Sequence, residues 1–252
     1  MQSNEPTSGP DRPHTRPNTV QPARQDGLLR LRLRLVNTVL KYVRRVSPRL
    51  ERKIHRRKWE HLWHVESKRP HGALATTVPE ELVEAVETGW FPQGCRVLDI
   101  GSGRGQISAW LTERGFSVVG GDLAEEAAQL ARREFGEIPG RLEFRRLDIL
   151  HDAPEPGSFD ALLDRGCLHT IPTEFRRTYA RNVAAWCRPG GRLLLLHRQE
   201  GEASVLIDSV RDLLGSDFEL ERHARTRQDL ERSAGPLPRQ TAPGMAFWFV
   251  RR

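Results

Sequence analysis

Cysteine is scarce in this chain. The three present, Cys95, Cys167 and Cys187, are odd in number and show no C-x-x-C spacing. Neither a disulfide framework nor a metal site is therefore expected, and the three read as small hydrophobes in a reducing compartment. Long apolar runs are missing too: no window approaches the ~18 uncharged apolar residues of a spanning helix. The opening Met1-Gln2-Ser3-Asn4-Glu5-Pro6 has no charged stretch leading into an apolar one. No secretory signal is expected, and a cytoplasmic location is.

The net charge of +7 is unevenly spread. Residues 24–58 hold 13 Lys/Arg against Asp26 and Glu51, a local +11, while residues 1–23 balance at zero. The remaining 59–252 therefore carry −4. Basicity belongs to one segment, so a nucleic-acid partner does not follow from it and is disfavoured.

Residues 1–26 contain five prolines and little that is apolar, which predicts a disordered tail. Residues 27–58 read as a basic arm. Leu28, Leu31, Leu35, Val39, Tyr42 and Val46 recur at helical spacing, with Arg30, Arg34, Asn37, Lys41 and Arg44 down the other side. That is an amphipathic helix ended by Pro48, although the Arg-Leu alternation at 30–35 also suits a strand. Three readings of residues 28–46 stay open: leucines packed against the rest of the chain, peripheral contact with an anionic membrane, or a grip on RNA or an acidic protein.

From residue 59 onward strand and helix signals alternate. Strands are predicted at 95–100, 116–121, 142–147, 159–163, 192–197, 218–224 and 245–250. Helices are predicted at 79–87, 104–114, 124–135, 173–187 (with Thr173 as cap) and 203–214. Seven strands with intervening helices imply a doubly wound, mostly parallel α/β sheet. No helix is evident between the last two strands, so the final one is expected to run antiparallel.

The densest signal is Val97-Leu98-Asp99-Ile100-Gly101-Ser102-Gly103-Arg104-Gly105-Gln106: buried strand, glycine turn, helix start. Nineteen residues after Gly103 a second apolar run ends in Asp122, followed by Leu123. Glycines that let backbone approach a ligand, plus an acid at the next strand end, describe a nucleotide-type pocket. The dinucleotide fingerprint G-x-G-x-x-G would need glycine at 106, where Gln106 stands.

The pattern present, D-x-G-x-G-x-G, resembles motif I of class I S-adenosylmethionine-dependent methyltransferases. That resemblance implies a Rossmann-like fold and places S-adenosyl-L-methionine against Asp99, Gly101, Ser102, Gly103, Gly105 and Gln106. Asp122 would accept from ribose hydroxyls beside Leu123. Asp148, in Leu147-Asp148-Ile149, would accept from the adenine amino group with Ile149 or Leu150 against the ring.

The segment Asp164-Arg165-Gly166-Cys167-Leu168, with Pro172-Thr173-Glu174-Phe175-Arg176-Arg177-Thr178-Tyr179 after it, resembles the thiopurine S-methyltransferase-like small-molecule group. Asp164 and Arg165 would then line the cofactor, and Trp59 and Trp63 would match that group's W-x-x-x-W cover. The group implies a small-molecule acceptor, hydroxyl or thiol. An Asn/Asp-Pro-Pro-Tyr motif, which serves methylation of a base amino group, is absent at 164–167.

His169 and His197 close the fourth and fifth strands. Either is a candidate base, because transfer to a hydroxyl needs one and transfer to a thiolate does not; the plainer reading is that both pack locally. Two rival functions stay open: a macromolecular methyltransferase, and a protein that keeps the fold and cofactor without methylating.

Overall fold

A computed structural model describes residues 48–66, 68, 77–153, 156–229 and 241–252. The chain divides into two compact units between Lys53 and Ile54, and the sheet with its helices belongs to the second. The tail at 1–26 and the arm helix at 28–46 lie outside the described residues.

The elements in chain order are α1 (Pro48–Glu66), α2 (Glu80–Glu87), β1 (Arg96–Ile100), α3 (Gln106–Glu113), β2 (Ser117–Asp122), α4 (Glu125–Phe135), β3 (Leu142–Arg146) and β4 (Phe159–Arg165). Next come two 3₁₀ turns (Leu168–Thr170 and Thr173–Phe175), α5 (Arg176–Trp186), β5 (Cys187–Arg198), α6 (Ala203–Leu214), β6 (Phe218–Asp229) and β7 (Thr241–Arg251). The seven strands form one sheet in the order β3-β2-β1-β4-β5-β7-β6. β1 pairs in parallel with both β2 and β4, so strand order reverses there. β7 is antiparallel, as expected, and it lies between β5 and β6.

The continuous apolar runs reflect burial on both faces. Along β5, Leu193 and Leu195 join one core with Leu98, Leu162, Phe247 and α5, while Leu194 and Leu196 join the other with Val97, Leu163, Trp248 and α2. All four leucines are 0–1% exposed. At roughly 1.5–3 kcal/mol for a fully buried side chain, this strand alone anchors the sheet to both helical layers.

Three expectations change. Residues 49–64 carry no sequence-level element, yet α1 is continuous from Pro48, so the boundary drawn between Lys58 and Trp59 falls inside a helix. Pro48 opens this helix, since the proline's missing N–H is harmless in a first turn; the helix it was expected to end lies outside the described residues. Thr173 does not cap α5: it opens a 3₁₀ turn, and Phe175 sits at the cap position without a side-chain bond. β6 runs on beyond Ala224, because Arg225, Thr226 and Arg227 pair with Met245, Gly244 and Pro243 in a ribbon that passes the end of β5.

Candidate active site

The carboxyl ends of β1, β2, β4 and β5 converge where strand order reverses, which is where open α/β sheets place ligands. β1 delivers the chain into Gly101-Ser102-Gly103-Arg104-Gly105, and Gly105 caps α3. The amides of Gly101 and Ser102 both donate to the Gly121 carbonyl, at 2.8 and 3.1 Å. This loop is therefore an extension of β2 as much as of β1. Gly103 has φ +56, and a Cβ there would stand 3.0 Å from the indole of Trp63. Trp63, 5% exposed, packs on Ala124, Ala127 and Leu130 of the α4 segment. The W-x-x-x-W element thus lies directly on the glycine turn, with Trp59 alongside.

Two buried acids stand behind the turn. Asp99 accepts from Ser108 Oγ at 2.7 Å. Asp122 accepts from the Gly103 amide at 3.1 Å and from the Ala124 amide at 2.9 Å. Loss of hydration raises both carboxyls to about 6; the nearby Arg165 guanidinium partly offsets this at Asp99. Ser102 Oγ is buried and has no partner among the described residues. Leu123 and Gln106 are half-buried at the rim.

Asp148 stands at the expected place after β3, 4% exposed, and accepts from the Leu150 amide and from His151 Nδ1, each at 3.1 Å. His151 is a partner that sequence reading did not provide, although its i+3 spacing was visible. Ile149 is buried, and its carbonyl accepts from Asn182 Nδ2 at 2.8 Å.

Asp164 lies near the end of β4. It is 0% exposed, and its carboxylate accepts from the amides of Cys167 (2.7 Å) and Leu168 (3.0 Å) and from the Tyr179 hydroxyl. These bonds make it the organiser of the turn after β4. Burial raises it to about 6 and pushes Tyr179 up. The signal was present in the sequence, because Tyr179 ends the same motif that contains Pro172 and Arg176. Arg165 is half-buried at the end of β4, with its charge felt at Asp99.

That turn carries Cys167 and His169. A Cβ at Gly101 would be 3.3 Å from Cys167 Cβ, so the turn abuts the glycine loop. His169 and His197 meet edge to face with ring centroids 5.6 Å apart. His197, 6% exposed, places Nδ1 2.7 Å from the Arg198 carbonyl. A carbonyl only accepts, so Nδ1 carries the proton and Nε2 a bare lone pair. Burial lowers both histidines, His169 to about 4, with the neighbouring His197 reinforcing that shift. Both imidazoles are neutral at pH 7.

Comparison with known proteins adds sequence and fold neighbours. A family profile described as a methyltransferase domain matches residues 97–191. The 2-heptyl-1-hydroxyquinolin-4(1H)-one methyltransferase of Mycobacteroides abscessus is 30% identical over 129 residues, 51% of this chain and 56% of that protein. A ubiquinone biosynthesis O-methyltransferase of Dechloromonas aromatica is 28% identical, across 61% of this chain and 66% of its own length. The thiopurine S-methyltransferase of Azotobacter vinelandii is 32% identical over 148 residues, 50% of this chain and 68% of that one. The chain thus spans about half to two thirds of the length of these curated relatives. A solved S-adenosylmethionine-dependent methyltransferase from Anabaena variabilis shares the fold with a TM-score of 0.60, at 17% identity, across 78% of this chain and 95% of that one.

Proposed function

Since the chain belongs to the class I S-adenosylmethionine-dependent methyltransferases, we propose that it methylates a hydroxyl or thiol of a small-molecule acceptor. The observation that carries this reading is the contact of the Cys167–His169 turn with the glycine loop. That turn also carries His169, whose ring meets that of His197, so a pair of neutral imidazoles begins on the element that abuts the loop expected to hold the methyl donor.

The residues present fit that donor. The glycine turn gives backbone room, the orphaned Ser102 hydroxyl offers an unused polar contact, and Asp122 retains acceptor capacity for ribose hydroxyls beyond its two amide bonds. Asp148 and Ile149 would flank the adenine, and Asp99 and Arg165 lie at the loop's inner end. S-adenosylmethionine, when bound, supplies an activated methyl on a sulfonium. The chain's own contribution is to orient the acceptor, exclude water under Trp63, and take a proton from a hydroxyl acceptor.

The subgroup is read as the small-molecule, thiopurine S-methyltransferase-like one. Its support is the Pro172–Tyr179 motif and the Azotobacter vinelandii relative. A panel of small phenols, N-hydroxy compounds and thiols, scored by S-adenosylhomocysteine release, tests the reading. Turnover of at least one class supports it. Release with RNA or protein substrates alone, or tight S-adenosylhomocysteine binding without release from any acceptor, overturns it.

A further inference from the structure

The helix α1 has two unlike faces. At about 100° per residue, Trp59 and Trp63 stand on one side, where they pack beside Ala124, Ala127 and Leu130. Leu50, Ile54, His61 and Val65 run along the middle of the opposite side, bordered by Lys53 and Arg57 on one flank and Lys58 on the other. These residues lie within an arc of roughly 140°, and all of them are exposed. The arc holds no acid. Glu51 stands just outside it by helical spacing, while Glu60 pairs with Arg56 and Glu126 with His64.

Leu50, Ile54 and Val65 are 46%, 40% and 39% exposed. A single exposed apolar side chain needs no explanation, but three in line along one helix face, set among cations, do. The pattern complements the boundary of an anionic bilayer, where apolar side chains enter the acyl region and Lys and Arg meet the headgroups. A nucleic acid would take the cations and leave the apolar side chains against phosphates. A second copy of the same face would oppose like charges. The surplus of charge also runs into this face from upstream, since residues 24–58 carry +11. No described helix is long and apolar enough to cross a membrane, so the contact is peripheral.

We infer that the outer face of α1, from Leu50 to Val65, seats the protein on an anionic lipid surface. The inner face is already committed, because a Cβ on Gly103 would meet the Trp63 indole at 3.0 Å. One helix therefore presents lipid-binding residues on one side and covers the glycine turn with the other. Lipid binding needs nothing from the methyl-transfer reading, since it depends only on the exposed apolar residues and the cations that flank them.

The test is co-sedimentation of the full-length protein with vesicles of equal parts phosphatidylcholine and phosphatidylglycerol, beside vesicles of phosphatidylcholine alone. Wild type should pellet with the first and stay in solution with the second. Lys53→Gln/Arg57→Gln should lower the partition coefficient roughly 30-fold, at about fivefold for each charge removed near the surface. Ile54→Ser/Val65→Ser should lower it on the order of tenfold. What binding remains there should be more sensitive to salt, because its apolar component is gone.

Both double variants spare the inner face, so their urea melts should match that of wild type. If one of them melts early, the other decides. Wild-type protein that stays in solution with anionic vesicles overturns the inference. Equal partition of wild type and both variants also overturns it, and assigns any lipid contact to residues 28–46. Capture of an RNA oligonucleotide without partition into vesicles overturns it in favour of a phosphate backbone.

Discussion

The amide of Gly103 donates to the carboxylate of Asp122 across 3.1 Å and 19 residues. The same carboxylate receives the Ala124 amide. One side chain therefore fixes the glycine turn against β2 and starts the segment leading into α4. Two separate signals in the sequence, a glycine motif and a distant acid, are one hydrogen-bonded object in the fold.

Asp122→Ala should weaken S-adenosylhomocysteine binding by about 1–3 kcal/mol, since it leaves the Gly103 and Ala124 amides unpaired and removes the ribose acceptor. Titration calorimetry measures this directly. Equal affinity in mutant and wild type would remove Asp122 from the site.

Gly103→Ala introduces both a strained backbone and a contact with Trp63. It should destabilise the protein by about 1–2 kcal/mol from the left-handed conformation alone, with the indole clash added. In a Trp63→Ala background the clash disappears and the backbone component remains. Urea melts of the four proteins should therefore show coupling between the two sites. Strict additivity would mean that Trp63 does not sit on the turn in solution.

Asp164→Ala strands two amides and the Tyr179 hydroxyl in the core. Its expected loss is about 2–4 kcal/mol of stability, with Tyr179→Phe smaller, and cofactor affinity nearly unchanged in Tyr179→Phe. Chemical denaturation alongside calorimetry decides the matter. A variant of normal stability and poor binding would return Asp164 to the cofactor.

The pH dependence has two opposed components. His169 and His197 titrate lower folded than unfolded, so the unfolded chain binds more protons. Both contributions are complete above about 6.5 and decline below it, that of His169 as pH falls towards 4. Asp99, Asp122 and Asp164 titrate near 6 when folded, against 3.8 ordinarily. The folded chain binds more protons there, so these acids add stability as pH falls through 6 and remove it as pH rises. His169→Gln should remove one histidine component, raising stability relative to wild type below pH 6.5 by at most about 1.4 kcal/mol per pH unit. Parallel stability curves for mutant and wild type between pH 4 and 6.5 would contradict the buried neutral state.

Most of the sheet was legible because burial on both faces writes itself as unbroken apolar runs, and Leu193–Leu196 is the plainest case. The glycine turn and Asp122 were legible because backbone approach and hydrogen bonding restrict residue choice. α1 was not, because its many Arg and Lys residues mask an apolar stripe that rests on Trp59 and Trp63 four residues apart. The inward bonds of Asp164 were not legible, because a strand-end acid facing a ligand and one facing the core look alike in sequence. Its direction depends on Tyr179, fifteen residues later. The cross-strand meeting of His169 with His197 belongs to tertiary packing, and no local pattern announces it.

Within the sheet β6 bonds only to β7, while β7 also bonds to β5. β6 is thus synthesised earlier than the strand that gives it a place. The two strands join the sheet as a ribbon, and hairpin closure on the order of 1–10 μs is fast enough to precede docking. Docking then has to choose a register. Phe247 and Phe249 fill one core and Trp248 the other, and a slip of one residue along β5 exchanges them. The event that completes this edge therefore also proofreads the allotment of aromatic volume between the two layers.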